Sequence, residues 1–115
     1  MPGFTETPPD TVYRWINEGE AVLVDVREAN ELAQARLEDA VHVPMSAFDP
    51  GLIPVDTGKK VVFICTRGAR SEQVGKYVVA QGILTEAYNL AGGLIAWADA
   101  GLPLEMGPTP PPTPQ

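Results

Sequence analysis

The sequence holds a single cysteine and a single histidine in 115 residues, and basic residues are scarce. One cysteine, Cys65, excludes an intrachain disulfide and any zinc site built from several cysteines. Eight lysines and arginines against 15 aspartates and glutamates leave a net charge of −7, which argues against nonspecific binding to nucleic acid or an anionic membrane. We expect no metal and no cofactor.

Long apolar runs are also missing. No segment approaches the roughly 18 consecutive apolar residues of a membrane span. The first six residues, Met-Pro-Gly-Phe-Thr-Glu, carry neither a basic patch nor an apolar run, so no signal peptide is expected. A lone unpaired thiol fits a reducing compartment. Together these absences predict a cytoplasmic protein.

What the sequence does contain is enough apolar material for one core. Aliphatic, aromatic and cysteine residues make up 44% of the chain, and the charged fraction of 20% is too low for an obligately disordered one. The length allows one domain. From Gly107 the chain is nearly all proline and threonine, a composition typical of a disordered, polyproline-like tail.

Apolar runs alternate with segments of helical periodicity. Strands are predicted over residues 21–24, 40–44, 60–64 and 86–90. Helices are predicted from Pro8 to Gly19, over 28–37, over about 71–81 and from Leu94 to Gly101, with a loop over 48–58. Strands and helices that alternate at this spacing imply right-handed crossovers, a parallel sheet and an α/β fold.

The strongest strand, residues 60–64, ends at Cys65. Ligands of open α/β sheets bind beyond the carboxyl ends of the strands, so the cysteine lies where chemistry is expected. The loop that follows, and then the start of a helix, offers backbone N–H groups and the positive end of a helix dipole. The loop residues are Thr66, Arg67, Gly68, Ala69, Arg70 and Ser71.

Positive charge is concentrated around this cysteine. Five of the eight basic residues fall between positions 59 and 76, with one acidic residue, Glu72, among them. Such surroundings favour thiolate over thiol and attract a small anion. Most lone cysteines at strand ends are inert core residues. The combination of strand end, glycine, two arginines and helix start favours a reactive one here.

Residues 65–71, Cys-Thr-Arg-Gly-Ala-Arg-Ser, resemble the active-site loop of single-domain rhodaneses, the thiosulfate sulfurtransferases. Three further segments are similar to that family's signatures in the same order. They are Leu-Val-Asp-Val-Arg-Glu at 23–28, Ala-Val-His-Val-Pro at 40–44, and Asn-Leu-Ala-Gly-Gly-Leu-Ile-Ala-Trp at 89–97 followed by Gly-Leu-Pro at 101–103. The resemblance predicts a rhodanese-like domain over residues 7–104 and leaves residues 105–115 as the proline-rich tail.

This resemblance implies a parallel sheet of about five strands with helices on both faces, and a catalytic Cys65 that cycles through a persulfide. Residues 66–71 would bind the substrate, a small anionic sulfur donor such as thiosulfate. A thiol, cyanide or a sulfur-accepting protein would take up the sulfur. The six-residue loop from Cys65 to Arg70 favours sulfur transfer, because the related phosphatases and arsenate reductases use a loop one residue longer.

Asp25 and Arg27 are interpreted as supporting residues, with a structural ion pair preferred over direct catalysis. His42 is interpreted as a strand histidine with an ordinary partner. The chain departs from the family's Gly-His-Ile-Pro-Gly-Ala segment at Arg36, in place of the usual histidine, and at Asp39, in place of the second glycine. Two alternatives to the thiosulfate enzyme stay open: a sulfur relay between proteins, and a non-catalytic interaction module.

Overall fold

A computed structural model of the protein describes residues 3–106. The strands are β1 (Phe4–Thr7), β2 (Ala21–Asp25), β3 (Ala35–Arg36), β4 (Val41–His42), β5 (Lys60–Ile64), β6 (Ala87–Leu90) and β7 (Glu105–Met106). The helices are α1 (Pro9–Asn17), α2 (Ala29–Leu32), α3 (Ala69–Ala80) and α4 (Gly93–Asp99), with 3₁₀ turns at Met45–Ala47 and Pro50–Leu52. Of the predicted tail, residues 107–115 lie outside the described part.

Five strands form one parallel sheet in the order β1-β6-β5-β2-β4. β5 lies at its centre, between β2 and β6. The predicted parallel α/β architecture is therefore confirmed. Because all five strands point the same way, the residues that follow β2, β5 and β6 meet at one edge of the sheet.

Both faces of the sheet are buried, because successive apolar side chains of a strand point to opposite faces. Along β5, Val61 and Phe63 join the core beneath α3, and the next residue of that face is Cys65. Val62 and Ile64 face the opposite core, formed with α1 and α4. The expectation of helices on both faces is confirmed, and the cysteine faces α3.

The helix predicted over residues 28–37 is wrong in length, since α2 covers only Ala29–Leu32. The helix formers in this segment yield to tertiary contacts. Arg27 Nη2 donates to the carbonyl of Ala35 at 2.8 Å, and Leu37 is buried in the core with α1 and α4. Both contacts require the chain to leave the helix and run extended as β3.

Two short elements have no counterpart in the predicted secondary structure. β1 pairs with β6 from Phe4 to Thr7 and forms the edge of the sheet. β7 pairs antiparallel with β3, so Glu105 and Met106 lie against the domain. Their sequences, Phe-Thr-Glu-Thr and Glu-Met, are too short and too polar to show a period.

Candidate active site

Cys65 lies at the closed end of a cleft, with 1% of its surface exposed. Its sulfur accepts hydrogen bonds from the backbone N–H groups of Gly68 at 3.0 Å and Ser71 at 3.4 Å. The Ser71 hydroxyl lies 3.3 Å from the same sulfur. The expected ring of donors around the thiol is therefore present in the geometry.

These donors change the acidity of the thiol. Burial raises the pKa of Cys65, but hydrogen bonds from the Ser71 hydroxyl and from the N–H groups of Ser71, Gly68 and Arg67 lower it by more. The net result is a pKa below the ordinary value, which increases the thiolate fraction. Hydrogen bonds from the loop and the helix start lower the pKa most. The sequence suggests these N–H groups as one cause and the charges of Arg67 and Arg70 as another.

Gly68 makes the turn that aims these N–H groups inward. Its φ is 96°, in the left-handed region that glycine adopts without strain. It also caps α3, and the Ser71 N–H that reaches the sulfur belongs to the first turn of that helix. The loop and the helix start therefore act together on the cysteine.

The start of α4 also supports the loop that follows Cys65. The N–H groups at the beginning of α4 donate to the loop carbonyls, Leu94 to Cys65 at 2.9 Å and Ile95 to Thr66 at 3.1 Å. Gly93, with φ at 66°, packs so closely on the Thr66 carbonyl that a β-carbon there would overlap it. Gly92 and Gly93 form the turn from β6 into α4, and this turn also supports the cysteine loop.

Three of the five basic residues expected around Cys65 pair with carboxylates. Glu31 binds Arg70 through both carboxylate oxygens, at 2.7 and 2.8 Å, and accepts the Thr66 hydroxyl at 3.2 Å. This pairing lowers the pKa of Glu31 to about 2 and raises that of Arg70. Among the other basic residues, Lys76 pairs with Glu72 and Lys60 with Glu20. Within residues 3–106, Arg67 has no carboxylate within ion-pair distance and is exposed.

The two supporting residues form a buried ion pair. Arg27 Nη2 and Nε donate to Asp25 at 2.8 and 3.0 Å, and the two side chains are 4% and 0% exposed. Arg27 also binds the carbonyl of Ala35, and His42 Nε2 lies 2.7 Å from the Arg27 carbonyl. The structural interpretation of these residues agrees with this geometry. The pair anchors the segment that carries Glu31 rather than contacting Cys65.

Sequence reasoning misses two residues of the site. It places Glu31 only in a helix, and it places Asn89 in a strand and in a signature-like segment without giving either residue a role at the site. Asn89 donates through Nδ2 to the carbonyl of Gly68 at 3.0 Å and to Glu6 at 2.9 Å. The signal that could have pointed to Asn89 is its position as an asparagine inside an otherwise apolar strand. The sequence holds no comparable signal for Glu31, whose partner is 39 positions away.

The cleft above Cys65 has a volume of about 300 Å³ and is lined by Glu31, Cys65, Thr66, Arg67, Ala69 and Arg70. Four of the six predicted substrate-binding residues therefore line this cleft, together with Glu31, which the sequence does not predict as a site residue. Across the described part of the chain, no three histidine, cysteine or carboxylate side chains come together as a metal site. No helix of residues 3–106 has the length and apolar character needed to cross a membrane.

Comparison with known proteins identifies the family. The family described as rhodanese-like domain matches residues 8–100. The chain belongs to this family.

Within the rhodanese-like fold, Asp39 occupies the place of the usual glycine with φ at 63°, a left-handed conformation that aspartate tolerates better than most residues. Arg36, in place of the usual histidine, lies on β3 and pairs with Glu105 at 3.5 Å.

Similar proteins point to one general chemistry. A sulfurtransferase of Allochromatium vinosum is 39% identical over 85 residues, covering 74% of this chain and 78% of that protein. The thiosulfate sulfurtransferase GlpE of Actinobacillus pleuropneumoniae is 31% identical over 102 residues, covering 89% and 94%. A rhodanese-like domain protein of Staphylococcus aureus superposes with a TM-score of 0.73 at 30% identity, covering 90% and 99%. Transfer of sulfur-containing groups is therefore the general activity that this rhodanese-like chain shares with its relatives.

Proposed function

We propose that the protein is a thiosulfate sulfurtransferase that moves the sulfane sulfur of thiosulfate, or of another persulfide donor, through a persulfide on Cys65. The acceptor is a thiophile such as cyanide or a thiol. The observation that carries the proposal is the convergence of two backbone N–H groups and the Ser71 hydroxyl on the buried sulfur of Cys65. A cytoplasmic location belongs to the same proposal, because the cycle requires a reduced thiol.

In the first step the Cys65 thiolate attacks the outer sulfur of thiosulfate. The bond between the two donor sulfurs breaks, its electron pair leaves with sulfite, and Cys65 becomes a persulfide. Charge shifts from the cysteine sulfur toward the terminal sulfur and the leaving group, so the N–H groups of the Thr66–Ser71 loop face the negative charge throughout. Arg67, exposed at the rim, attracts the donor anion.

In the second step an external nucleophile attacks the terminal sulfur and releases the thiolate of Cys65. Since the chain contains one cysteine, an internal disulfide cannot discharge the persulfide. The enzyme alternates between the free thiolate and the persulfide of Cys65, and sulfite leaves before the acceptor reacts, which predicts ping-pong kinetics. The spacing of six residues from Cys65 to Arg70 supports sulfur transfer over phosphate-ester hydrolysis.

The deciding experiment is the intact mass of the protein after incubation with thiosulfate. The expected result is a gain of one sulfur atom that cyanide removes and that a Cys65→Ser variant does not show. Circular dichroism of the variant checks that it is folded. If the folded wild-type protein gains no sulfur from thiosulfate or from any hydropersulfide, the enzymatic proposal fails and the interaction module is favoured.

A further inference from the structure

Glu31 places a fixed negative charge in the wall of the cleft. Its carboxylate accepts four hydrogen bonds: two from Arg70, one from the Thr66 hydroxyl and one from the backbone N–H of Glu28 at 3.0 Å. These bonds saturate both oxygens and hold the side chain in one position. Since its pKa lies at about 2, the carboxylate is ionised at any working pH.

Glu31 therefore cancels the positive charge of Arg70 inside the cleft, where the sulfur donor would bind. Both of its terminal nitrogens are engaged by Glu31, and one of them also lies 3.3 Å from the Thr66 hydroxyl. An anion near Arg70 would meet the carboxylate at a similar distance, so attraction and repulsion offset each other. The remaining cation of the cleft, Arg67, is exposed at the rim, where solvent weakens its attraction for the donor.

Sulfane sulfur donors differ in the charge they bring into such a cleft. Thiosulfate is a dianion, whereas a hydropersulfide, R–S–SH, is neutral or carries one negative charge. Because Glu31 cancels the charge of Arg70, the pair gives the donor no net attraction, and the Cys65 thiolate at the bottom of the cleft repels negative charge. A dianion therefore meets more repulsion than a hydropersulfide does.

We propose that Glu31 is a specificity-determining residue that disfavours dianionic donors and makes the cleft selective for hydropersulfides of low charge. The proposal rests on the proposed sulfurtransferase function. The transfer needs no further reactant: the Cys65 thiolate attacks the outer sulfur of R–S–SH, the sulfur–sulfur bond breaks, and its electron pair leaves with R–S⁻. Cys65 is left as the hydropersulfide, with the proton still on the transferred sulfur.

The test compares persulfide loading from two donors, thiosulfate and the hydropersulfide of 2-mercaptoethanol. Second-order rate constants for loading of Cys65 are measured by rapid quenching and intact mass. The variant is Glu31→Gln, which removes the charge and keeps the shape. The matched control is Glu28→Gln, which removes the same charge three residues away from a carboxylate that binds Ser46 instead of Arg70.

Glu31→Gln is expected to raise the thiosulfate rate about tenfold relative to the hydropersulfide rate, the effect of one unit charge near a partly screened site. Glu28→Gln is expected to leave the ratio unchanged. A purely structural role of Glu31 would alter both donors alike, so a constant ratio in Glu31→Gln overturns the proposal. A constant ratio can be measured only if both donors load the wild-type protein, so that outcome leaves the proposed sulfurtransferase function intact. If neither donor loads the wild-type protein, the sulfurtransferase function itself is overturned.

A second measurement serves if the variant does not fold. The wild-type thiosulfate rate is measured as ionic strength is raised, with the uncharged form of the hydropersulfide as reference. With Arg70 cancelled by Glu31, screening mainly relieves the repulsion between thiosulfate and the Cys65 thiolate, so the thiosulfate rate is expected to stay level or rise. A steep fall with salt would show net attraction of the dianion and would contradict the proposal.

Discussion

The hydroxyl of Ser71 lies 3.3 Å from the sulfur of Cys65, and both side chains are buried. The same hydroxyl lies 3.2 Å from the carbonyl of Gly68, which Asn89 also satisfies. A hydroxyl has one proton to donate. Because Asn89 serves the carbonyl, that proton is available to the thiolate, and its contribution to the pKa of Cys65 can be measured separately.

Ser71→Ala is expected to raise the pKa of Cys65, because burial continues to oppose ionisation while one donor is lost. The measurement is the pH dependence of alkylation by iodoacetamide, whose midpoint reports the thiol. Ser46→Ala is the control, since the Ser46 hydroxyl binds Glu28 and not the sulfur. An unchanged midpoint in Ser71→Ala would assign the acidity to the backbone N–H groups alone.

Asp25→Asn tests the buried ion pair that anchors the Glu31 segment. The substitution leaves the guanidinium of Arg27 buried without its counter-charge, so the free energy of unfolding is expected to fall by about 3 kcal/mol. Urea denaturation measures the change. Glu105→Gln is the control, because its partner Arg36 is 60% exposed and the loss should stay below about 1 kcal/mol. Equal losses in the two variants would contradict a structural role for Asp25.

Acid should weaken the fold through Glu31. Its folded pKa of about 2 lies below the ordinary value of 4.5, so the Arg70 pair contributes stability that is present above pH 4.5 and is lost as the pH falls toward 2. Urea midpoints at pH 5, 4 and 3 should therefore fall more steeply for the wild-type protein than for Glu31→Gln. Because the pair is about one-third exposed, solvent screening reduces the difference. Parallel pH profiles would mean that the pair does not contribute.

The parts of the molecule that sequence predicts best are those determined by local patterns. β5, α3 and the loop between them combine an apolar run, a glycine and a helical period, and the predicted bounds of all three agree with the structure within two residues. The ion pair of Asp25 with Arg27 is also predictable, since the two residues are only two positions apart.

What sequence reasoning misses depends on contacts between distant positions. Glu31 is a good helix former in a helix-forming segment, and only folding brings it to Arg70. The basic patch is inferred from Arg70 and its neighbours along the chain, whereas the carboxylates that pair with Arg70 and Lys60 come from distant positions. Local helix propensity likewise does not predict the extended β3, because β3 depends on the hydrogen bond from Arg27 to the carbonyl of Ala35.

The close contact between Gly93 and the Thr66 carbonyl leads to the last prediction, Gly93→Ala. Any residue other than glycine costs about 1 kcal/mol or more at a left-handed φ, and a β-carbon at Gly93 would additionally overlap the carbonyl. Gly82→Ala separates the two effects, because Gly82 has φ at 73° but no neighbouring atom within 4 Å of the point where its β-carbon would lie. We expect Gly93→Ala to lose at least about 2 kcal/mol more than Gly82→Ala in urea denaturation, the size of an overpacked contact. Since Thr66 follows Cys65, its displacement should also slow persulfide loading in Gly93→Ala and leave loading in Gly82→Ala unchanged. If Gly93→Ala matched Gly82→Ala in both measurements, the start of α4 would not be what holds the cysteine loop in place.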